Sequence, residues 1–186
     1  MFFSAFKDYF QSSSLHVTWI HIAVIVVLSS TWSFLFRKKH SAYSTIVLGV
    51  TFFFCLLLLD MAVWNRFSGN ISYKIKFDLN AEFYRLFHGT KVQRVQIILN
   101  FLAFLPLGFF LSEFFSSTRR FSVGRRLGYV SLSAFGLSLC IECLQFVFRL
   151  GLFEITDLFM NTLGAFVGTC IALLGRMLFK RKRGSF

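Results

Sequence analysis

Glu142 and Gln145 lie in "IECLQFVF", residues 141–148, within a run of otherwise hydrophobic residues. An ionised carboxylate in apolar surroundings is costly, so it persists where it has a partner, a proton or a task. Related chemistry occurs at Asn100, Arg149, Glu154, Asp157 and Asn161. Carboxamides such as Asn100, Gln145 and Asn161 offer both a donor and an acceptor, which suits sugar hydroxyls and peptide amides. Carboxylates at Glu142 and Asp157 suit general acid or base work. Glu142, Asp157 and Glu154 together could hold a divalent cation through oxygen ligands. No nucleophile motif accompanies them. His16, His21, His40 and His88 lack metal-ligand spacing, so no cofactor is expected.

These groups need a scaffold, and the composition defines its class. Of 186 residues, 56% are hydrophobic, with 28 phenylalanines and one proline; mean hydropathy is +0.67. That is too apolar for an ordinary soluble domain. The expected fold is an all-α membrane protein with about five transmembrane helices in one bundle. The predicted spans are 15–36, 42–64, 95–115, 127–148 and 155–179. Residues 1–14, which lack a basic stretch and a small-residue cleavage site, are expected to lie at the interface. Residues 65–94 form a mixed, aromatic loop between helices two and three, expected to fold back as an interfacial or re-entrant element. Residues 180–186 form a basic cytoplasmic tail.

The net charge of +12 raises the possibility of nucleic acid. The basic residues instead flank apolar runs, at 37–39, 119–126 and 180–183, as membrane topology requires. With the N-terminus outside, twelve basic residues fall on the cytoplasmic side and eight on the other, where most of the acids also lie. The expected partners are therefore membrane lipids rather than nucleic acid. The four cysteines, Cys55, Cys140, Cys143 and Cys170, all lie in apolar runs and are read as packing residues.

This orientation brings the polar groups to one depth. Helices three and five run inward and helix four outward, so Asn100, Glu142 and Asn161 each fall a few residues below the outer boundary, about 7–9 Å deep. Ser131, Ser138, Glu142, Gln145 and Arg149 follow helical spacing and form one stripe on helix four. Asp157, Asn161, Gly164 and Gly168 form a stripe on helix five. Its GxxxG spacing permits close approach, and the expected partner is helix four. Thr156 or Asp157 could cap helix five. Pro106 and Gly108 are expected to kink helix three. The plainer reading of Asn100, Gln145 and Asn161 is hydrogen-bond glue between helices.

"NFLAFLPLGFFL" (100–111), "IECLQFVF" (141–148) and "FEITDLFMNTLGAFVG" (153–168) resemble, in order, the motifs of the VanZ-like family. Those are an Asn ahead of F-x-P-x-G, then E-x-x-Q, then D-x-x-D-x-x-x-N-x-x-G-x-x-x-G. The resemblance covers roughly residues 65–179, so 95–179 is expected to be a three-helix VanZ-like core preceded by two further helices. Glu154 replaces the first Asp of the last motif. Gly151 stands where many members have an Arg, with Arg149 nearby but out of register. The resemblance implies a small multi-pass protein of the bacterial cell membrane, associated with low-level resistance to teicoplanin, a lipid-tailed glycopeptide. That association suggests binding or remodelling of envelope components, and an outward-facing polar site in a bilayer suits a lipid-linked cell-wall precursor or a lipoglycopeptide as the expected ligand. Two alternatives stand beside this: an intramembrane enzyme acting on a lipid-linked or phospholipid substrate with Glu142 as general acid or base, and a small lipid transporter. The residues leave catalysis and oligomeric state open.

Overall fold

The computed structural model describes residues 19–36, 41–62, 75–76, 84, 86–118 and 121–183. The expected interfacial lead-in at 1–14 and most of the loop at 65–94 lie outside the described residues. Among the described residues, five long helices run in chain order: α1 (Trp19–Phe36), α2 (Ala42–Ala62), α3 (Lys91–Thr118), α4 (Val123–Val147) and α5 (Ile155–Arg183). Two-residue strands, β1 (Ile75–Lys76) and β2 (Phe153–Glu154), sit ahead of α3 and α5. Among the described residues, α2 to α5 each contain a stretch long and apolar enough to cross a membrane, and α1 adds a shorter apolar run, Ile22–Thr31. The protein is a multi-pass helical membrane protein.

Local chemistry sets several helix ends. Thr90 and Gln93 form a reciprocal capping box at the start of α3: the Thr90 N–H donates to Gln93 Oε1 at 3.0 Å, and the Gln93 N–H to Thr90 Oγ1 at 3.3 Å. Each satisfies a backbone donor that the first turn leaves open. α3 continues unbroken past Pro106, which cannot donate to the carbonyl one turn earlier. α4 ends in a Schellman turn: Leu150 N–H reaches Gln145 O at 2.8 Å and Arg149 N–H reaches Phe146 O at 3.2 Å.

α3 and α5 run parallel and form the closest helix pair. A Cβ on Gly164 would meet Phe101 O at 2.1 Å, and one on Gly168 would meet Leu105 O at the same distance. One on Gly108 would meet Ala165 O, also at 2.1 Å. Only hydrogen-sized side chains allow this approach. The glycine stripe of α5 therefore serves α3, not α4 as expected. Gly108 likewise serves contact with α5. Thr169 Oγ1 adds a bond across the same seam to Gly108 O at 3.3 Å. The core beside it comprises Leu58, Phe104, Leu107, Ala134, Ile141 and Ala165. α4 lies antiparallel to α5, and α2 covers α3. α1 packs on α2 at the periphery. Large side chains such as Val27, Ile46, Leu132 and Leu174 point outward, as lipid contact requires.

Candidate functional site

The polar residues of α4 and α5 meet at one end of the bundle. Glu142 is 2% exposed. Its Oε2 accepts the backbone N–H of Glu154 at 3.0 Å. Glu154 immediately precedes α5, so the carboxylate sits at the positive end of that helix and occupies one of its open donors. This gives Glu142 a structural reason to be buried: it ties the end of α4 to the start of α5. Gln145, one turn further along the stripe, is buried too.

Asn161 is 6% exposed and donates from Nδ2 to Ser138 Oγ at 2.8 Å. Ser138 is fully buried on the same face of α4 as Glu142. The Oδ1 of Asn161 is buried without a partner. Whichever way the amide is turned, one polar atom is bonded and the other is not. On α3, Asn100 Nδ2 is also buried and unpartnered.

The depths resolve into two tiers. Phe101 meets Gly164, Leu105 meets Gly168 and Glu113 meets Arg176, each at a separation of 63 residues. Asn100 is therefore level with Leu163, about 3 Å further along the bundle than Asn161. Ser138 is opposite Asn161, so Glu142, one turn beyond Ser138, is about 6 Å nearer the α4–α5 corner. The expected single layer is thus a carboxylate tier at Glu142 with Asp157 and Glu154, and below it a carboxamide tier at Asn161 and Asn100. Hydrogen bonds tie Glu142 to Glu154 in the first tier and Asn161 to Ser138 in the second.

The corner above Glu142 is built from unusual backbone. Arg149 has φ +56°, a left-handed conformation that normally takes glycine. Its side chain is exposed at the rim. β1 pairs in parallel with β2, Ile75 beside Phe153 and Lys76 beside Glu154. The long loop thus returns to the residue whose N–H holds Glu142. Among the described residues, no three or more His, Cys, Asp or Glu side chains are grouped to hold a metal ion.

A second polar cluster occupies the opposite end and was not singled out from the sequence. Glu113, 8% exposed, accepts from Arg176 Nε on Oε1 and from Arg176 Nη2 on Oε2, both at 2.7 Å. Tyr43 Oη donates to the same Oε2 at 2.7 Å. An acid in the apolar "FLSEFF" of residues 110–115 is the signal in the sequence that could have found it.

The sequence also finds relatives. The model of the VanZ/LLP1 family matches residues 50–179, from α2 through nearly all of α5. Protein VanZ of Enterococcus faecium is 35% identical over 75 residues, which are 39% of this chain and 41% of that protein. The chain thus aligns with about two fifths of that relative's length. No solved structure matches. The match begins within α2, earlier than the motifs alone indicated, and leaves α1 outside. By a match over more than two thirds of its length, the chain belongs to the VanZ/LLP1 family.

Proposed function

We propose that the Glu142 end of the bundle is an outward-facing pocket that binds the polar head of a lipid-tailed envelope ligand, either a lipid-linked cell-wall precursor or a lipoglycopeptide. Through such binding or remodelling the protein would give low-level protection against teicoplanin. The carrying observation is the carboxamide tier, where an acceptor on Asn161 and a donor on Asn100 are both buried and unpartnered. Each orphan costs about 1–3 kcal/mol, a cost that a ligand presenting amides and hydroxyls offsets. Glu142 and Asp157, with Glu154, would pair with cationic or amide groups above that tier. Gln145 and Arg149 lie on the α4 side of the same end. The outward orientation, with the N-terminus outside, follows from the distribution of lysines and arginines.

The test is binding to the purified chain in nanodiscs, with teicoplanin and a lipid-linked precursor as separate probes. Asn161→Ala and Glu142→Gln should each weaken binding about tenfold, the loss of one or two hydrogen bonds. Unchanged affinity in both variants would refute the pocket. Intact binding with abolished turnover of the precursor in Glu142→Gln would favour the enzyme reading instead.

A further inference from the structure

At the other end of the bundle, two guanidinium groups share one carboxylate. Glu113 already uses both oxygens on Arg176 and Tyr43. Arg126, in the first turn of α4, interacts electrostatically with both Glu113 and Arg176. Yet its Nε and Nη1 are shielded from solvent and have no hydrogen-bond acceptor. A guanidinium that merely marks topology or snorkels keeps its nitrogens in water. Arg126 withdraws Nε and Nη1 from it, and among the described residues neither has an acceptor.

The surroundings favour an anion. Arg126, Arg176 and Glu113 together carry one net positive charge. Ser122, the N-cap of α4, makes no side-chain capping bond, so the positive end of that helix adds to the field. Tyr43, Glu113, Arg126 and Arg176 come from the same end of four helices, which is where a spanning protein meets headgroups. We propose that a phosphate group binds here, its oxygens accepting charge-assisted hydrogen bonds from the Arg126 N–H groups that lack an acceptor. A phospholipid headgroup is the source that this depth favours, and free phosphate carries the same chemistry. The site is separate from the Glu142 pocket and does not depend on its function.

The test is native mass spectrometry of the full chain after detergent extraction from phosphatidylcholine/phosphatidylglycerol membranes, with inorganic phosphate added in a parallel lipid-free arm. Wild type should retain a phospholipid through delipidation, and Arg126→Gln should lower that retention about tenfold. Arg125→Gln removes the same charge from an exposed neighbour and should retain lipid as wild type does. Arg126→Lys keeps the charge but loses Nε and should fall between; it carries the test if Arg126→Gln does not fold. Protection against heat by inorganic phosphate alone, lost in the Arg126 variants, would uphold the anion site and assign free phosphate as its ligand. Equal losses in the Arg125 and Arg126 variants would overturn the proposal. So would a wild-type protein that neither retains lipid nor responds to phosphate.

Discussion

Replacing Arg176 with methionine should expose how α3 and α5 are held in register. The substitution keeps a long apolar stem but removes both charge-assisted bonds to Glu113. The carboxylate is then left with the Tyr43 hydroxyl as its remaining hydrogen bond at 2.7 Å. Breaking a buried ion pair from one side costs about 3–5 kcal/mol. Here the Arg176 side chain is 34% exposed against 10% for Glu113, and solvent screening brings the expectation down to about 2–3 kcal/mol. Glu113→Gln leaves Arg176 and Arg126 without their shared counter-charge and should cost a similar amount. The double variant removes the conflict along with the pair. It should cost about 2 kcal/mol less than the sum of the singles, well beyond the scatter of independent sites. Denaturation by sodium dodecyl sulfate, followed by far-ultraviolet circular dichroism in mixed micelles, measures all three. Additive losses would refute the reasoning, because they would mean that the two residues do not act as a pair.

Other perturbations probe the seam and the pocket. Gly164→Ala places a carbon where Phe101 O lies 2.1 Å away, so α3 and α5 must part; a loss of about 1–3 kcal/mol is expected by the same denaturation. Gly175→Ala, with nothing within 4 Å, should be neutral or stabilise by up to about 1 kcal/mol. Arg149→Gly should relax the left-handed residue and stabilise by about 1 kcal/mol; if the side chain serves the pocket, ligand affinity falls while the melting temperature rises. Ser138→Ala leaves Asn161 Nδ2 without its acceptor and should cost about 1 kcal/mol, the usual scale for interhelical bonds in membranes.

The spans were legible because continuous hydrophobicity marks a lipid-crossing helix whatever it packs against. The same principle exposed Glu142 and Asn161, since a polar residue in an apolar run stands out and helical spacing assigns its face. The partner of each face was not legible. The Gly164 and Gly168 stripe identifies a surface of close approach, but no local signal says whether α3 or α4 fills it. The Glu113–Arg176 pair spans 63 residues, so no periodicity connects the two, and an arginine near a helix end already had a sufficient topological explanation. The pairing of Ile75–Lys76 with Phe153–Glu154 was hidden for a related reason: two residues are too short for a strand pattern. Depth counting placed Glu142 and Asn161 together because it treated helix boundaries as level planes. The bond from Glu154 N–H to Glu142 shows the carboxylate a turn nearer the corner.

Whether the pocket at Glu142 carries the function can be read from teicoplanin and vancomycin susceptibility in a glycopeptide-sensitive Gram-positive host expressing the wild-type chain or Glu142→Gln at matched membrane levels. The substitution keeps the side-chain shape and an oxygen able to accept the Glu154 N–H, so the fold should survive. Wild type should raise the teicoplanin threshold alone, and Glu142→Gln should not. A Glu142→Gln variant as protective as wild type, or a wild-type chain that changes neither threshold, would contradict that role for the pocket.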